Sequence, residues 1–105
     1  MAYGRLLRKL TKENLWLYIL RMLTERPMYA YEINKSLKER FGFSTATVTV
    51  YVVLYKMVRE GLVKAGEKES VLGRPDRQYY EITALGRENL QKGRGFLRET
   101  LRKLS

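Results

Sequence analysis

A chain of 105 residues has room for one domain, and its 45% hydrophobic content suffices for a core, although so small a fold gains from further burial against a partner. Lys and Arg total 21 against 11 Asp and Glu, a formal charge of +10 that concentrates polyanions at the surface, nucleic acid first and an anionic membrane second. With no Cys and no His, the chain lacks disulfides, thiolate chemistry, zinc sites of the usual ligand types and His-based acid/base catalysis, so neither an enzyme nor a cofactor is expected.

The N-terminus carries Leu6 and Leu7 among Arg5, Arg8 and Lys9, without the sustained apolar stretch of a cleavable signal, so a cytoplasmic location is expected. Nothing reads as a membrane span or as a strongly amphipathic basic helix standing alone. Thr11 can cap a helix running to about Thr24 or Glu25, closed by Pro27. Leu15, Ile19, Met22 and Leu23 share one face of that helix, while Trp16, Leu17 and Leu20 lie well round the cylinder. A helix apolar on nearly all sides calls for two neighbours, of which one is the domain's own core and a second subunit is a candidate for the other.

Met28 to Phe41 reads as a short amphipathic helix with Tyr31, Ile33 and Leu37 apolar, ended by Gly42. A third helix is predicted from about Ala46 to Glu60, stopped by Gly61. Its valines would suit a strand by propensity alone. Helix is nonetheless favoured, because Val50, Val53, Leu54 and Met57 fall within about 100° at 3.6 residues per turn. Leu62 to Glu69 and Gln78 to Thr83 then predict a twisted two-stranded hairpin whose tip is Gly73, Arg74 and Pro75. Thr83 can cap a last helix reaching nearly to Leu104, along which Leu90, Leu97, Leu101 and Leu104 form one stripe with Gly93 beside it.

Two short helices, a third helix and a hairpin make a mainly α fold with a small β-hairpin, a winged helix-turn-helix whose third helix enters the DNA major groove. Residues 1–83 would form the DNA-binding domain and 84–105 a C-terminal dimerisation helix. With Val50, Val53, Leu54 and Met57 inside, 100° steps place Thr45, Val48, Thr49, Val52, Lys56 and Arg59 outside, flanked by Tyr51 and Tyr55 and preceded by Thr47. Threonine hydroxyls can bond base edges or phosphates, valine methyls can pack on thymine methyls, and Lys56 and Arg59 can take backbone oxygens. The plainer alternative is that Val48 and Val52 are buried within the domain. Lys68, Arg74 and Arg77 cluster at the hairpin tip, where a wing touches phosphate or minor groove, although any soluble hairpin has a charged tip. Trp16, Leu17, Leu20, Leu90, Leu97, Leu101 and Leu104 are the candidate dimer contacts.

Three groups of residues resemble the PadR family of winged-helix transcriptional regulators. Pro27-Met28-Tyr29-Ala30-Tyr31-Glu32-Ile33 is similar to its Gly-Tyr-Glu-Ile helix start. Val50-Tyr51 through Leu54 with Gly61-Leu62-Val63 is similar to its Leu-Tyr-Pro-x-Leu and Glu-Gly-Leu-Ile. Gly73-Arg74-Pro75, Tyr79-Tyr80-Glu81-Ile82-Thr83 and Gly86-Arg87 are similar to its wing and the start of its last helix. Ala30 stands where that family usually has Gly, and Val52 where it often has Pro. The resemblance implies a homodimer held by the last helix against the first helix of the partner, binding a roughly palindromic operator, usually as a repressor. It also implies release by a small aromatic effector at the dimer interface. Trp16, Tyr18 and Phe96, with Tyr3, are the aromatics such a ligand could stack on, though buried aromatics at helical spacing are equally plain core. A non-specific architectural DNA-binding protein, and a winged-helix protein-interaction module, are the rival readings.

Overall fold

The computed structural model describes residues 1–70 and 77–105. In chain order they form α1 (Ala2–Lys9), a 3-10 turn (Lys12–Asn14), α2 (Leu15–Leu23), β1 (Met28–Tyr29), α3 (Ala30–Phe41), α4 (Thr47–Arg59), β2 (Val63–Glu69), β3 (Arg77–Ile82) and α5 (Ala84–Lys103). The hairpin tip expected at Gly73, Arg74 and Pro75 lies outside the described residues. Among the described residues no helix is long and apolar enough to cross a membrane, and no group of His, Cys, Asp and Glu could hold a metal.

The core is drawn from every helix except α1. Leu15, Ile19, Leu20, Met22 and Leu23 of α2 are buried against Ile33 and Leu37 of α3, Val50, Leu54 and Met57 of α4, and Leu90 of α5. The 3.6-residue spacing of Val50, Leu54 and Met57 therefore overrides the strand propensity of the valines around them. α4 is unbroken through Val52, so the missing proline leaves ordinary helix. Ala30 likewise takes the first helical position of α3 with ordinary backbone, since no residue other than glycine has positive φ among those described. Gly42 and Gly61, at φ 76° and 78°, end α3 and the turn after α4 in the left-handed region.

Two boundaries differ from the sequence reading. Thr11 does not cap α2; its hydroxyl donates back to the Leu7 carbonyl at 2.6 Å, a 3-10 turn intervenes, and α2 begins at Leu15. Met28 and Tyr29 are not helical but pair antiparallel with Tyr80 and Tyr79, so the hairpin becomes a three-stranded sheet of order β1-β3-β2. The extended backbone of Tyr29 (φ −103°, ψ 165°) also starts α3, its N–H donating to Glu32 Oε1 at 3.3 Å. The β2/β3 register runs from Val63 opposite Ile82 to Glu69 opposite Arg77, with a shift between Ala65 and Lys68. Gln78 fills that bulge, its Nε2 donating to the carbonyls of Gly66 (3.0 Å) and Glu67 (3.3 Å).

Thr83 joins sheet to last helix. Its hydroxyl donates to the Gly61 carbonyl (2.6 Å) and accepts from the Gly86 N–H (3.0 Å), an N-cap that also ties the end of α4 to α5. α5 then lies on α2, where Gly93 sits directly against Leu17 and the Trp16 ring. The radius of gyration is 14.9 Å, above the roughly 13 Å of a compact domain this long. The excess reflects α1 and the C-terminal half of α5, whose residues are all exposed or half-buried.

Candidate nucleic-acid interface

α3 and α4 form the helix-turn-helix. The inner face of α4 is locked by Val50, Leu54 and Met57, all at most 1% exposed, and this fixes the rotation of the helix about its axis. Val48 and Val52 consequently point outward, 71% and 57% exposed, with Tyr51 and Tyr55 exposed beside them. Burial within the domain, the plainer alternative for the two valines, does not occur.

The remaining predicted contacts are placed unevenly. Thr49 is half-buried on α4, whereas Thr45 precedes the N-cap Ala46, so the 100° rule does not extend to it. Thr47 is the first helical residue, and its hydroxyl accepts from Asn34 Nδ2 of α3 at 3.1 Å, a tie between the two helices. Ala46 offers the first turn no side-chain acceptor, leaving amides that suit an anionic oxygen. Lys56 and Arg59 are exposed toward the other end, the Arg59 guanidinium resting 5.8 Å from the Tyr55 ring centroid.

The wing differs from the basic cluster expected of it. Arg77 lies 4.9 Å over the Tyr29 ring and 3.5 Å from Glu69, two contacts that hold it against the sheet. Lys68 is exposed but lines a groove of about 640 Å³ together with Arg26, Tyr79 and three carboxylates, Glu67, Glu69 and Glu81. Desolvation, then the Glu69 carboxylate to which its hydroxyl donates (3.1 Å), holds the Tyr79 phenol above its ordinary value. In this groove Arg26 and Lys68 face three carboxylates; Arg74 lies outside the described residues.

At the expected dimer surface, two residues are corrected. Leu20 is fully buried and Leu90 nearly so in the subunit's own core, because α2 and the first turns of α5 pack on each other. Trp16, Leu17 and Leu97 are half-buried, while Leu101 and Leu104 stand exposed. Sequence reading missed α1. Tyr3, Leu6 and Leu7 are exposed on it and Leu10 at its C-cap extends them, spaced i, i+3, i+4 and i+7, an apolar stripe that was legible in the spacing but obscured by Arg5, Arg8 and Lys9.

The aromatic trio is not gathered. Tyr18 packs edge-on against Phe41 and Phe43, both at 5.0 Å, and its hydroxyl donates to the Leu10 carbonyl. Trp16 donates instead to Asn14 Oδ1 at 3.0 Å, and Phe96 is exposed on α5.

The family described as "Transcriptional regulator PadR-like family" matches residues 19–92. A candidate transcriptional regulator from Thermoplasma acidophilum superposes with a TM-score of 0.76 at 29% identity, over 95% of this chain and 91% of its own. A PadR-like transcriptional regulator from Bacillus cereus does so with a TM-score of 0.67 at 32% identity, over 89% and 92%. PadR of Bacillus subtilis, crystallised in complex with operator DNA, shares the fold with a TM-score of 0.67 at 24% identity, over 74% of this chain and 44% of its own. The comparison with curated proteins gives no match.

Proposed function

This chain belongs to the PadR-like family of transcriptional regulators, and from that membership we propose that it binds DNA sequence-specifically as a homodimer and represses from a roughly palindromic operator. One observation carries the reading. α4 turns an uncharged flank of Val48 and Val52 into solvent, with half-buried Thr49 beside them, while its opposite face is anchored in the core, the posture of a helix that enters a major groove. The Bacillus subtilis relative bound to operator DNA supports it, as does the charge of +10.

Dimerisation falls to the exposed stripe of α1 and to Leu97, Leu101 and Leu104 of α5, with the first turns of α5 belonging to the DNA-binding body through Gly86 and Leu90. Two-fold pairing of this kind holds two recognition helices for two half-sites. With Tyr18 committed to Phe41 and Phe43, any small aromatic effector at that interface would stack on Trp16 and Phe96.

Selection of bound fragments from random DNA tests the proposal. A regulator enriches one motif and holds it at least about 10³-fold more tightly than scrambled duplex at moderate salt. An architectural protein shows a ratio near one with a steep salt dependence, and a protein-interaction module shows no retention even at low salt.

A further inference from the structure

We propose that the bases are read through thymine methyl groups, by Val48 and Val52 of α4 with Thr49 between them. This deepens the DNA-binding reading and rests on it. From Ser44 to Tyr55 no side chain carries an amide, a guanidinium, an ammonium or a carboxylate. Those are the groups that discriminate guanine, adenine and cytosine by paired hydrogen bonds at the major-groove edge, arginine or lysine on guanine and asparagine or glutamine on adenine. The recognition surface of α4 has none of them before Lys56. What it does have is hydroxyls, which donate or accept and so do not by themselves single out a base, and methyl groups, and thymine is the base with an apolar group in the major groove.

The placement is specific. Val48 and Val52 are four residues apart, one turn and about 6 Å along the helix, on a common face. Both are more than half exposed, and the core leaves their orientation no freedom, since Val50 and Leu54 are fully buried. β-branched residues are mediocre helix formers, and at solvent-facing positions packing gives them nothing back. Neither local propensity nor the subunit's core explains two valines here; burial against a methyl-bearing partner does. The partner is a duplex and not an apolar peptide, because the same face runs on to Lys56 and Arg59 and begins at first-turn amides without a side-chain acceptor, both suited to phosphate. Each half-site should therefore carry two neighbouring thymines beneath α4.

The test uses the full-length protein and two random duplex libraries, one made with thymidine and one with deoxyuridine, which pairs identically but lacks the C5 methyl. The thymidine library should enrich a motif and the deoxyuridine library should not. In the enriched duplex, exchanging the two thymines of a half-site for uracil should weaken binding about fourfold per methyl. Replacing those pairs by 5-methylcytosine·guanine should be tolerated better than unmethylated cytosine·guanine. Val48→Ala and Val52→Ala should bring the thymine-to-uracil affinity ratio to one while the circular dichroism of the fold is kept. Equal affinity for thymine and uracil duplexes would overturn the methyl readout and leave the DNA-binding reading intact. Retention of neither library would overturn both.

Discussion

Asn34 of α3 donates its side-chain amide to the Thr47 hydroxyl at the first turn of α4, 3.1 Å away, while its own Oδ1 is buried and has no hydrogen-bond partner among the described residues. The tie spans the two helices of the helix-turn-helix at the end of α4 that would lie deepest in a groove.

Removing the acceptor with Thr47→Val should cost about 1 kcal/mol, the usual worth of a neutral hydrogen bond. Asn34→Leu should be neutral or slightly stabilising, because it also removes the half-satisfied amide. Both should weaken operator binding severalfold, since the first turn of α4 loses its brace. Urea midpoints and fluorescence-anisotropy titrations check the pair; an Asn34→Leu protein with unaltered affinity would show that packing alone sets the pose of α4.

Glycines in α5 should respond in opposite directions. A Cβ on Gly86 would stand 2.2 Å from the Leu62 carbonyl oxygen, which belongs to backbone and cannot swing aside, whereas a Cβ on Gly95 meets open space. Gly86→Ala should therefore destabilise by about 2 kcal/mol or more, and Gly95→Ala should stabilise by about 0.5 to 1 kcal/mol through helix propensity. Thermal unfolding of both, with Thr83→Ala as a reference for loss of the cap, measures the contrast.

Local chemistry explains what could be read in advance. The Thr83 cap, the stops at Gly42 and Gly61, and the inward set of Val50, Leu54 and Met57 depend on neighbours within a turn or two, and each was legible in the sequence. So was the outward orientation of Val48 and Val52, which follows from the same period. Partners chosen across the fold were not legible. Met28 and Tyr29 are too few to show an alternation, and become a strand only because β3 presents Tyr79 and Tyr80. The Glu69 carboxylate and the Tyr29 ring that hold Arg77 were likewise out of reach of local pattern, and Leu20 looked like an interface residue until α5 covered it.

Acid should loosen the link between α2 and α3. The Arg40 guanidinium, hydrogen-bonded to Glu25 at 2.7 Å, and Arg21 at 3.2 Å hold the Glu25 carboxyl below its usual value near 4.5. A depressed folded-state value means that the carboxylate's contribution is complete above the unfolded value and is lost as pH falls through the folded one. Arg40→Ala should thus be less stable near neutral pH and should lose less further stability between about pH 5 and pH 3. Because these groups face solvent, the difference should shrink in 0.5 M salt. Denaturation at the two pH values, with and without salt, reads it directly.

Leu101 and Leu104 are 71% and 80% exposed, and they continue the stripe begun by half-buried Leu97 toward the C-terminal end of α5. α1 contributes no residue to the subunit's core, yet carries Tyr3, Leu6 and Leu7 on one side, with Leu10 following at its C-cap. Two unpartnered apolar stripes on one small chain are resolved most simply by a second copy that sets one against the other, an isologous arrangement requiring no further surface. Leu101→Glu with Leu104→Glu should then convert the protein to a monomer by sedimentation, while the buried residues of α2, α3 and α4 keep its helical signal. Affinity for a single half-site should be unchanged, since α4 is untouched. Affinity for the full operator should fall by about 10² to 10⁴, the advantage lost when two tethered half-site contacts become independent. A double variant that stays dimeric would place the interface elsewhere, and one that binds the full operator as tightly as before would show that each subunit acts alone.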